Sequence, residues 1–240
     1  MRKIVVFLSL TILVSSCDNE VKPITFKTEE ITPKSESEIN ILLSKANENT
    51  DIGKAINSSV EEVIVESILL EVKDEENLKE ALSSFEKEYQ EFIQDFPEGS
   101  APWKLNAESE VIYQSPEIIT ISLNIYIDKG GAHGNDSIRF LNFNPENGNL
   151  YNQNEIIKNK TGFKELAETY FNNSVKSEAN DNAITEDFFF GEPFQLPKNI
   201  GFSNDGLILL YNVYEIASHA QGYTEFAIPF DVAQPYLKVN

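Results

Sequence analysis

A glycine-rich pentapeptide between two apolar runs is the feature that most constrains how this chain can fold. The pentapeptide is Gly130–Gly134, with the sequence GGAHG, and it lies between Ile118–Ile127 and Ser137–Phe143. Both flanking runs are rich in β-branched and aromatic residues with partial period-two alternation, which predicts strands. Three glycines in five residues allow positive φ and close backbone approach in the loop between them. The centre of the chain is therefore predicted to be antiparallel β structure.

Helical periodicity replaces this alternation elsewhere. Apolar residues follow a helical stripe from Asp51 to Ile68, from Leu78 to Phe96 and from Thr161 to Val175. Ser35–Ser44 is predicted to hold a short helical turn. Further strands are predicted at residues 24–31, 103–113, 200–203, 206–214 and 222–228. Because strands and helices are segregated and do not alternate, we expect an α+β fold with antiparallel sheets and helices packed on one face.

These patterns predict four segments along the chain. Residues 1–16 are predicted to be a lipoprotein signal peptide and residues 17–23 a polar tether. Two linked small α+β modules follow, the first at residues 24–127 and the second at residues 128–240. The boundary between the modules is placed at the start of the glycine-rich loop.

The N-terminus predicts export. Met1–Lys3 is basic, and the apolar run after it is too short to span a membrane and ends in small residues, which is typical of a secretory signal. Leu13–Cys17 (LVSSC) also resembles a bacterial lipobox, which implies cleavage before Cys17 and lipidation of that residue. Cys17 is the sole cysteine, so the chain has no internal disulfide. We expect a protein anchored by lipid in a bacterial cell envelope, at the outer membrane or surface in a Gram-negative cell.

The charge balance limits the partners. The chain has 39 acidic and 19 basic residues, and its formal net charge is -20. Such a surface repels nucleic acid, which is therefore not an expected partner, and favours rapid, salt-sensitive encounter with cationic molecules. Solubility alone also accounts for charge of this size.

The sequence contains no standard catalytic motif. There is no G-x-S-x-G elbow, H-E-x-x-H helix or phosphate-binding loop, and we predict no catalytic residue, metal or cofactor. His133 lies near Asp128 and Asp136, but their spacing matches no standard ligand pattern. A structural role is favoured, in which the imidazole binds backbone groups that the glycines expose.

A second candidate site lies between the last two predicted strands. Tyr214, His219 and Tyr223 lie in and around a polar loop there. Amphipathic side chains of this kind supply contact area at low entropic cost, which is typical of protein-binding loops. The two tyrosines fit equally well as caps on the edge of the core, so both interpretations stay open.

Two sequence blocks resemble a known family. The matching residues are Gly130–Gly134, Asn142–Asn144 and Gly148 in the first block, and Leu210–Ala217, Gly222 and Ile228–Phe230 in the second. They resemble the extracytoplasmic domain of RsiV-type anti-sigma factors, a domain of unknown function that also occurs beside polysaccharide deacetylase domains. Residues 24–127 resemble the module that usually precedes it.

The resemblance implies an α+β fold and, in the RsiV type, binding of C-type lysozyme, a small cationic protein, by loops. Gly130, Gly131, His133, Tyr214 and Glu215 match the family pattern. No sigma-binding segment, transmembrane helix or deacetylase domain is recognised, so neither anti-sigma nor deacetylase activity is implied. The candidate binding residues are then His133, Tyr214, Glu215, His219 and Tyr223.

Three functional hypotheses follow. The first is a lipid-anchored, non-catalytic binding module for lysozyme or another cationic protein. The second is a peptidoglycan-directed hydrolase or metal-dependent enzyme that uses His133 with Asp128 or Asp136. The third is a structural accessory lipoprotein.

Overall fold

The computed structural model describes residues 22–69, 77–97, 101–178 and 185–239. Cys17 and the predicted signal peptide, residues 1–16, lie outside this range. The described strands are β1 (Phe26–Ile31), β2 (Glu38–Ala46), β3 (Lys104–Gln114), β4 (Ile119–Asp128), β5 (Asn135–Phe143), β6 (Asn199–Phe202), β7 (Gly206–Tyr211) and β8 (Thr224–Pro229). The described α-helices are α1 (Asp51–Ile68), α2 (Leu78–Asp95), α3 (Gln153–Ile156), α4 (Lys160–Glu178) and α5 (Phe230–Ala233).

The predicted α+β class is confirmed, with one difference in strand direction. The first sheet has the order β1-β2-β3-β4-β5 and the second β6-β7-β8. All described pairs are antiparallel except β2 and β3, which run parallel. Parallel neighbours need a long crossover connection, and α1 and α2 lie in that connection.

The predicted helical turn at Ser35–Ser44 is wrong, because β2 occupies most of it. Ile39, Ile41 and Leu43 are buried in the helix-facing core, while the residues between them are exposed. This period-two pattern is present in the sequence and is the signal of a half-buried strand. Its neighbours β1 and β3 satisfy the backbone hydrogen bonds that a helical turn would have satisfied locally.

The first core lies between this sheet and helices α1 and α2. Trp103, directly before β3, is 7% exposed. Its ring lies 5.7 Å from Phe85, 5.7 Å from Tyr89 and 5.4 Å from Phe92, all on α2. The aromatic stripe of α2 is therefore core, because it packs on the sheet through this tryptophan.

A second core lies between the three-stranded sheet and α4. Its largest fully buried side chains are Phe163, Phe202 and Tyr211, and Phe171 packs edge-on against Tyr211. A tight turn joins β6 to β7 between the strands predicted at residues 200–203 and 206–214, and Gly206 closes it at φ 154°. A Cβ atom at Gly206 would lie 2.3 Å from the Ile228 carbonyl oxygen, so the turn requires glycine.

Side-chain amides join the two sheets along the outer edge of β5. Asn199 accepts a hydrogen bond from the Phe140 N–H at 2.6 Å and donates to the Ile138 carbonyl at 2.5 Å. Asn212 accepts from the Ile138 N–H at 2.8 Å and donates to the same carbonyl at 3.0 Å. These contacts, the β5 seam, satisfy backbone groups that an edge strand otherwise leaves open.

The predicted module boundary between residues 127 and 128 falls within the β4–β5 hairpin. Pairing of β4 with β5 runs from Ile119–Phe143 to Ile127–Asn135, so the first sheet continues to Phe143. In the described part of the chain, no helix has both the length and the apolar character needed to cross a membrane.

Candidate functional site

The glycine-rich loop is the predicted turn between β4 and β5. Gly130 adopts φ 78°, and its N–H donates to Asp128 Oδ1 at 2.9 Å. A Cβ atom at Gly134 would lie 2.4 Å from the Tyr126 ring. A side chain at position 134 would therefore force the Tyr126 ring to move, while Gly130 is favoured by its positive φ, so these two glycines each have a structural reason.

His133 projects from this loop and uses both ring nitrogens. Its Nδ1 lies 2.9 Å from the Gly134 carbonyl, which can only accept, so Nδ1 carries the proton. Nε2 lies 3.3 Å from the Tyr214 hydroxyl, a longer and weaker contact. His133 therefore holds its own loop and also connects that loop to Tyr214, in the turn after β7.

Three exposed rings form one cluster at this junction. The His133 and His219 ring centroids are 4.4 Å apart, those of Tyr214 and His219 5.2 Å, and those of His133 and Tyr214 6.3 Å. Residues far apart in sequence thus meet, and all three side chains are exposed. We call this set the His133–Tyr214–His219 cluster.

Tyr214 is held in a left-handed backbone conformation. Its φ is 68°, and its side chain is 54% exposed. Such a conformation costs about 1–2 kcal/mol for a residue other than glycine. The Asn212 N–H donates to Glu215 Oε2 at 2.9 Å, and the Glu215 N–H donates to the Asn212 carbonyl at 3.0 Å. Glu215 therefore closes the turn that presents Tyr214.

Tyr223 lies beside the cluster but is half-buried. Burial, and then the neighbouring Asp136 carboxylate, raise the pKa of the Tyr223 phenol. Its hydroxyl and Asp136 Oδ1 are buried and have no hydrogen-bond partner of good geometry among the described residues. Tyr223 thus contributes to the base of the loop, whereas Tyr214 and His219 contribute its exposed surface.

The two aspartates near His133 in sequence make other contacts. Asp128 Oδ2 accepts a hydrogen bond from Tyr126 at 3.3 Å, and burial together with Asp128 raises the pKa of Tyr126. Asp136 lies beside Tyr223. Among the described residues, no three His, Cys, Asp or Glu side chains are placed to hold a metal ion together.

Sequence reasoning missed two residues that build the site. Asn212 anchors the Tyr214 turn to β5, and Tyr126 supports the glycine-rich loop. A signal for Tyr126 was its outward position in the β4 alternation, opposite Asp136 of β5. No local signal exists for Asn212, because its partner Ile138 is 74 residues away.

Two family models match this chain. Residues 28–136 match the model described as deacetylase PdaC, and residues 143–231 match DUF3298, a protein family of unknown function. The glycine-rich loop lies in the first match and the Tyr214 loop in the second. The cluster is thus formed by both matched regions. No curated protein matches the chain.

Solved structures of the DUF3298 family have the same fold. A family member from Bacteroides fragilis aligns with a TM-score of 0.71 at 19% identity, covering 91% of this chain and 95% of its own. A family protein from Pseudomonas aeruginosa aligns with a TM-score of 0.64 at 21% identity, covering 90% and 94%. The chain therefore has the fold of DUF3298-family structures, with a PdaC-like region followed by a DUF3298-like region.

Proposed function

We propose that this chain is a non-catalytic envelope protein, anchored by lipid on Cys17, that binds a cationic protein through the His133–Tyr214–His219 cluster. The observation that carries the proposal is the exposed Tyr214, held at positive φ by the Glu215 turn. Residues kept in strained conformations concentrate at functional sites. A C-type lysozyme is the specific partner that the RsiV-type resemblance favours.

The chemistry of the cluster supports a protein partner. Tyrosine and histidine rings combine apolar area with hydrogen-bonding atoms, and tyrosine is enriched among interface residues that dominate binding energy. Glu215 lies beside the cluster, and the chain as a whole carries a net charge of -20. A cationic partner would be attracted over distances up to the Debye length.

Titration calorimetry with C-type lysozyme tests this directly. Residues 18–240 keep every described element, and we expect them to bind lysozyme at moderate salt. Tyr214→Ala should weaken binding by about 30-fold, the effect of losing about 2 kcal/mol at a central interface tyrosine. Raising the salt concentration should weaken binding further, because exposed charges are screened.

Phe190→Ala is the matched control. Phe190 is 68% exposed and also has a positive φ, 54°, but it lies in a different loop, Thr185–Gly191. Its replacement should leave the affinity unchanged. Absence of binding heat at micromolar concentrations would remove lysozyme as the partner. An equal loss in both variants would contradict the placement of the site.

The anchor has its own test. Cys17→Ala should abolish incorporation of radioactive fatty acid into the protein in labelled cells, because the lipid attachment point is lost. Equal labelling of this variant and the wild type would contradict lipid anchoring at Cys17.

A deacetylase activity is the second candidate, and one observation favours it: residues 28–136 match a family named after a deacetylase. His133 is the sole histidine of that region. If this alternative holds, residues 18–240 release acetate from acetylated peptidoglycan fragments, and His133→Ala abolishes the release. Acetate release at the rate of a protein-free blank excludes it.

A further inference from the structure

A cavity remote from the cluster lies between the start of α2 and strands β1 and β2. Its volume is about 530 Å³, within the range of small-molecule sites. Ile31, Ile39, Leu78 and Leu82 form its apolar wall, and Lys34 and Lys79 line its mouth. The walls suit a hydrocarbon body, and both lysines are exposed.

The basic and acidic side chains that line this cavity differ in whether they already have partners. Neither Lys34 nor Lys79 has a carboxylate within 4 Å among the described residues. Two glutamates also line the cavity, but each is already engaged. Glu61 pairs with Lys45.

The other glutamate, Glu86, accepts hydrogen bonds from the Ser37 hydroxyl at 2.5 Å, the Glu36 N–H at 2.9 Å and the Ser37 N–H at 3.2 Å. Burial would raise the pKa of Glu86, but these hydrogen bonds outweigh it and hold the pKa below its ordinary value. The carboxylate is thus ionised and saturated, whereas neither ammonium group is paired with a carboxylate of the described residues.

We propose that this cavity binds a single-chain anionic amphiphile, such as a fatty acid. The hydrocarbon chain lies against the four apolar side chains, and the carboxylate lies between Lys34 and Lys79. The net charge of the protein, -20, repels anions in general, and the two lysines provide the local positive charge that favours an anionic headgroup here. The apolar wall selects a chain over a small hydrophilic anion.

Displacement of a fluorescent fatty acid tests the proposal. The probe is undecanoic acid with a terminal dansyl group, mixed with residues 18–240, and dodecanoate is the competitor. We expect saturable binding with one site per chain. Affinity should rise about fourfold per added methylene until the cavity is filled. Dodecanol and dodecyltrimethylammonium should compete at least tenfold more weakly than dodecanoate.

Two variants and one control locate the site. The double variant Lys34→Glu and Lys79→Glu should weaken dodecanoate binding by about tenfold. Ser83→Trp, at an exposed position that lines the cavity, should block the probe. Lys87→Glu reverses a charge on the same helix outside the cavity, where Lys87 pairs with Glu91, and should leave binding unchanged. Circular dichroism and urea midpoints confirm that each variant is folded.

Three results would overturn the proposal. Equal competition by the anionic, neutral and cationic chains would show that the lysines select nothing. Unchanged binding in folded Ser83→Trp would place the probe elsewhere. The third result concerns co-sedimentation of the protein with phosphatidylglycerol vesicles. If the double charge reversal abolishes this co-sedimentation and Ser83→Trp leaves it intact, the lysines bind a membrane surface and not a ligand in the cavity.

Discussion

At the scale of single residues, Tyr211 and Tyr214 show how three positions separate a core tyrosine from a surface one. Strand β7 ends at Tyr211, which is 1% exposed and donates its hydroxyl to the Gln195 carbonyl. The turn after it reverses the backbone and places Tyr214 in solvent. The sequence pattern predicts one strand through residues 206–214, so it cannot tell the core role of Tyr211 from the surface role of Tyr214. That difference depends on the strand ending at Tyr211.

Tyr211→Phe should change how stability depends on pH. Burial, and then Glu215, raise the pKa of Tyr211, so the folded chain keeps a proton that the unfolded chain releases above its pKa of about 10. The stabilisation that Tyr211 gives is complete below about pH 10. As the pH rises above 10 toward the folded pKa, this stabilisation is lost by up to about 1.4 kcal/mol per pH unit. We expect the variant to be about 1–2 kcal/mol less stable at pH 7, because the Gln195 carbonyl loses its donor.

Tyr211→Phe should lose less stability than the wild type between about pH 10 and 11, because it has no phenol at this position to titrate. Urea unfolding across this range measures both effects. Tyr214→Phe, which removes an exposed hydroxyl, should change stability at pH 7 by less than about 0.5 kcal/mol. Parallel loss of stability in the wild type and Tyr211→Phe on the alkaline side would refute the buried role of this hydroxyl.

At the scale of secondary-structure elements, the side chains of Thr50 and Asn57 hold the junction of β2 with α1 together with the sheet. Thr50 caps α1 by accepting a hydrogen bond from the Gly53 N–H at 3.0 Å. One turn later, the buried Asn57 accepts from the Ala46 N–H at 2.8 Å and donates to the Ala46 carbonyl at 3.0 Å. The Asn57 amide thus satisfies both backbone groups of Ala46, the last residue of β2, as a neighbouring strand would.

Asn57→Ala should destabilise the fold by about 2–4 kcal/mol, because both backbone groups of Ala46 lose their partner in a buried place. Chemical denaturation gives the free energy of unfolding. Ser58→Ala, at the next position of α1 and exposed, is the control and should change it by less than about 0.5 kcal/mol. A loss below 1 kcal/mol in Asn57→Ala would mean that water replaces the amide at this junction.

At the scale of the whole molecule, the β5 seam links the two hydrophobic cores, and Tyr113 of β3 adds an apolar link by packing on Phe202 and Phe230 of the second core. Besides Asn199 and Asn212, the buried Asn142 donates to the Ile200 carbonyl at 2.7 Å and accepts from the Thr120 hydroxyl at 2.7 Å. Gly201 fits closely here, since a Cβ atom would lie 2.7 Å from the Phe140 ring. The seam therefore sets the relative position of the two loops that form the cluster.

Asn199→Ala should weaken the coupling of the two cores. It removes the partner of the Phe140 N–H and one partner of the Ile138 carbonyl, and we expect a loss of about 2–4 kcal/mol. Scanning calorimetry should show the wild type unfolding in one transition and the variant in two. Asn204→Ala, in the exposed β6–β7 turn, is the control. A single, unshifted transition in Asn199→Ala would show that apolar packing alone joins the modules.

The sequence by itself determined the local structure of this protein. Period-two runs predicted the strands on either side of Gly130–Gly134, apolar stripes predicted α1, α2 and α4, and segregation of the two predicted the α+β class. These signals are local, because the backbone period of each element decides which side chains share a face. The prediction was wrong at β2, where a short alternating run was interpreted as a helical turn.

Only the tertiary structure decided which elements meet. The parallel pairing of β2 with β3, the role of Asn212 and the contact of His133 with Tyr214 and His219 depend on residues 66 to 86 positions apart. Packing of two cores across one seam fixes such distances, and no sequence period carries that information. The residue types at the candidate site were therefore predictable, whereas their assembly into one exposed cluster was not.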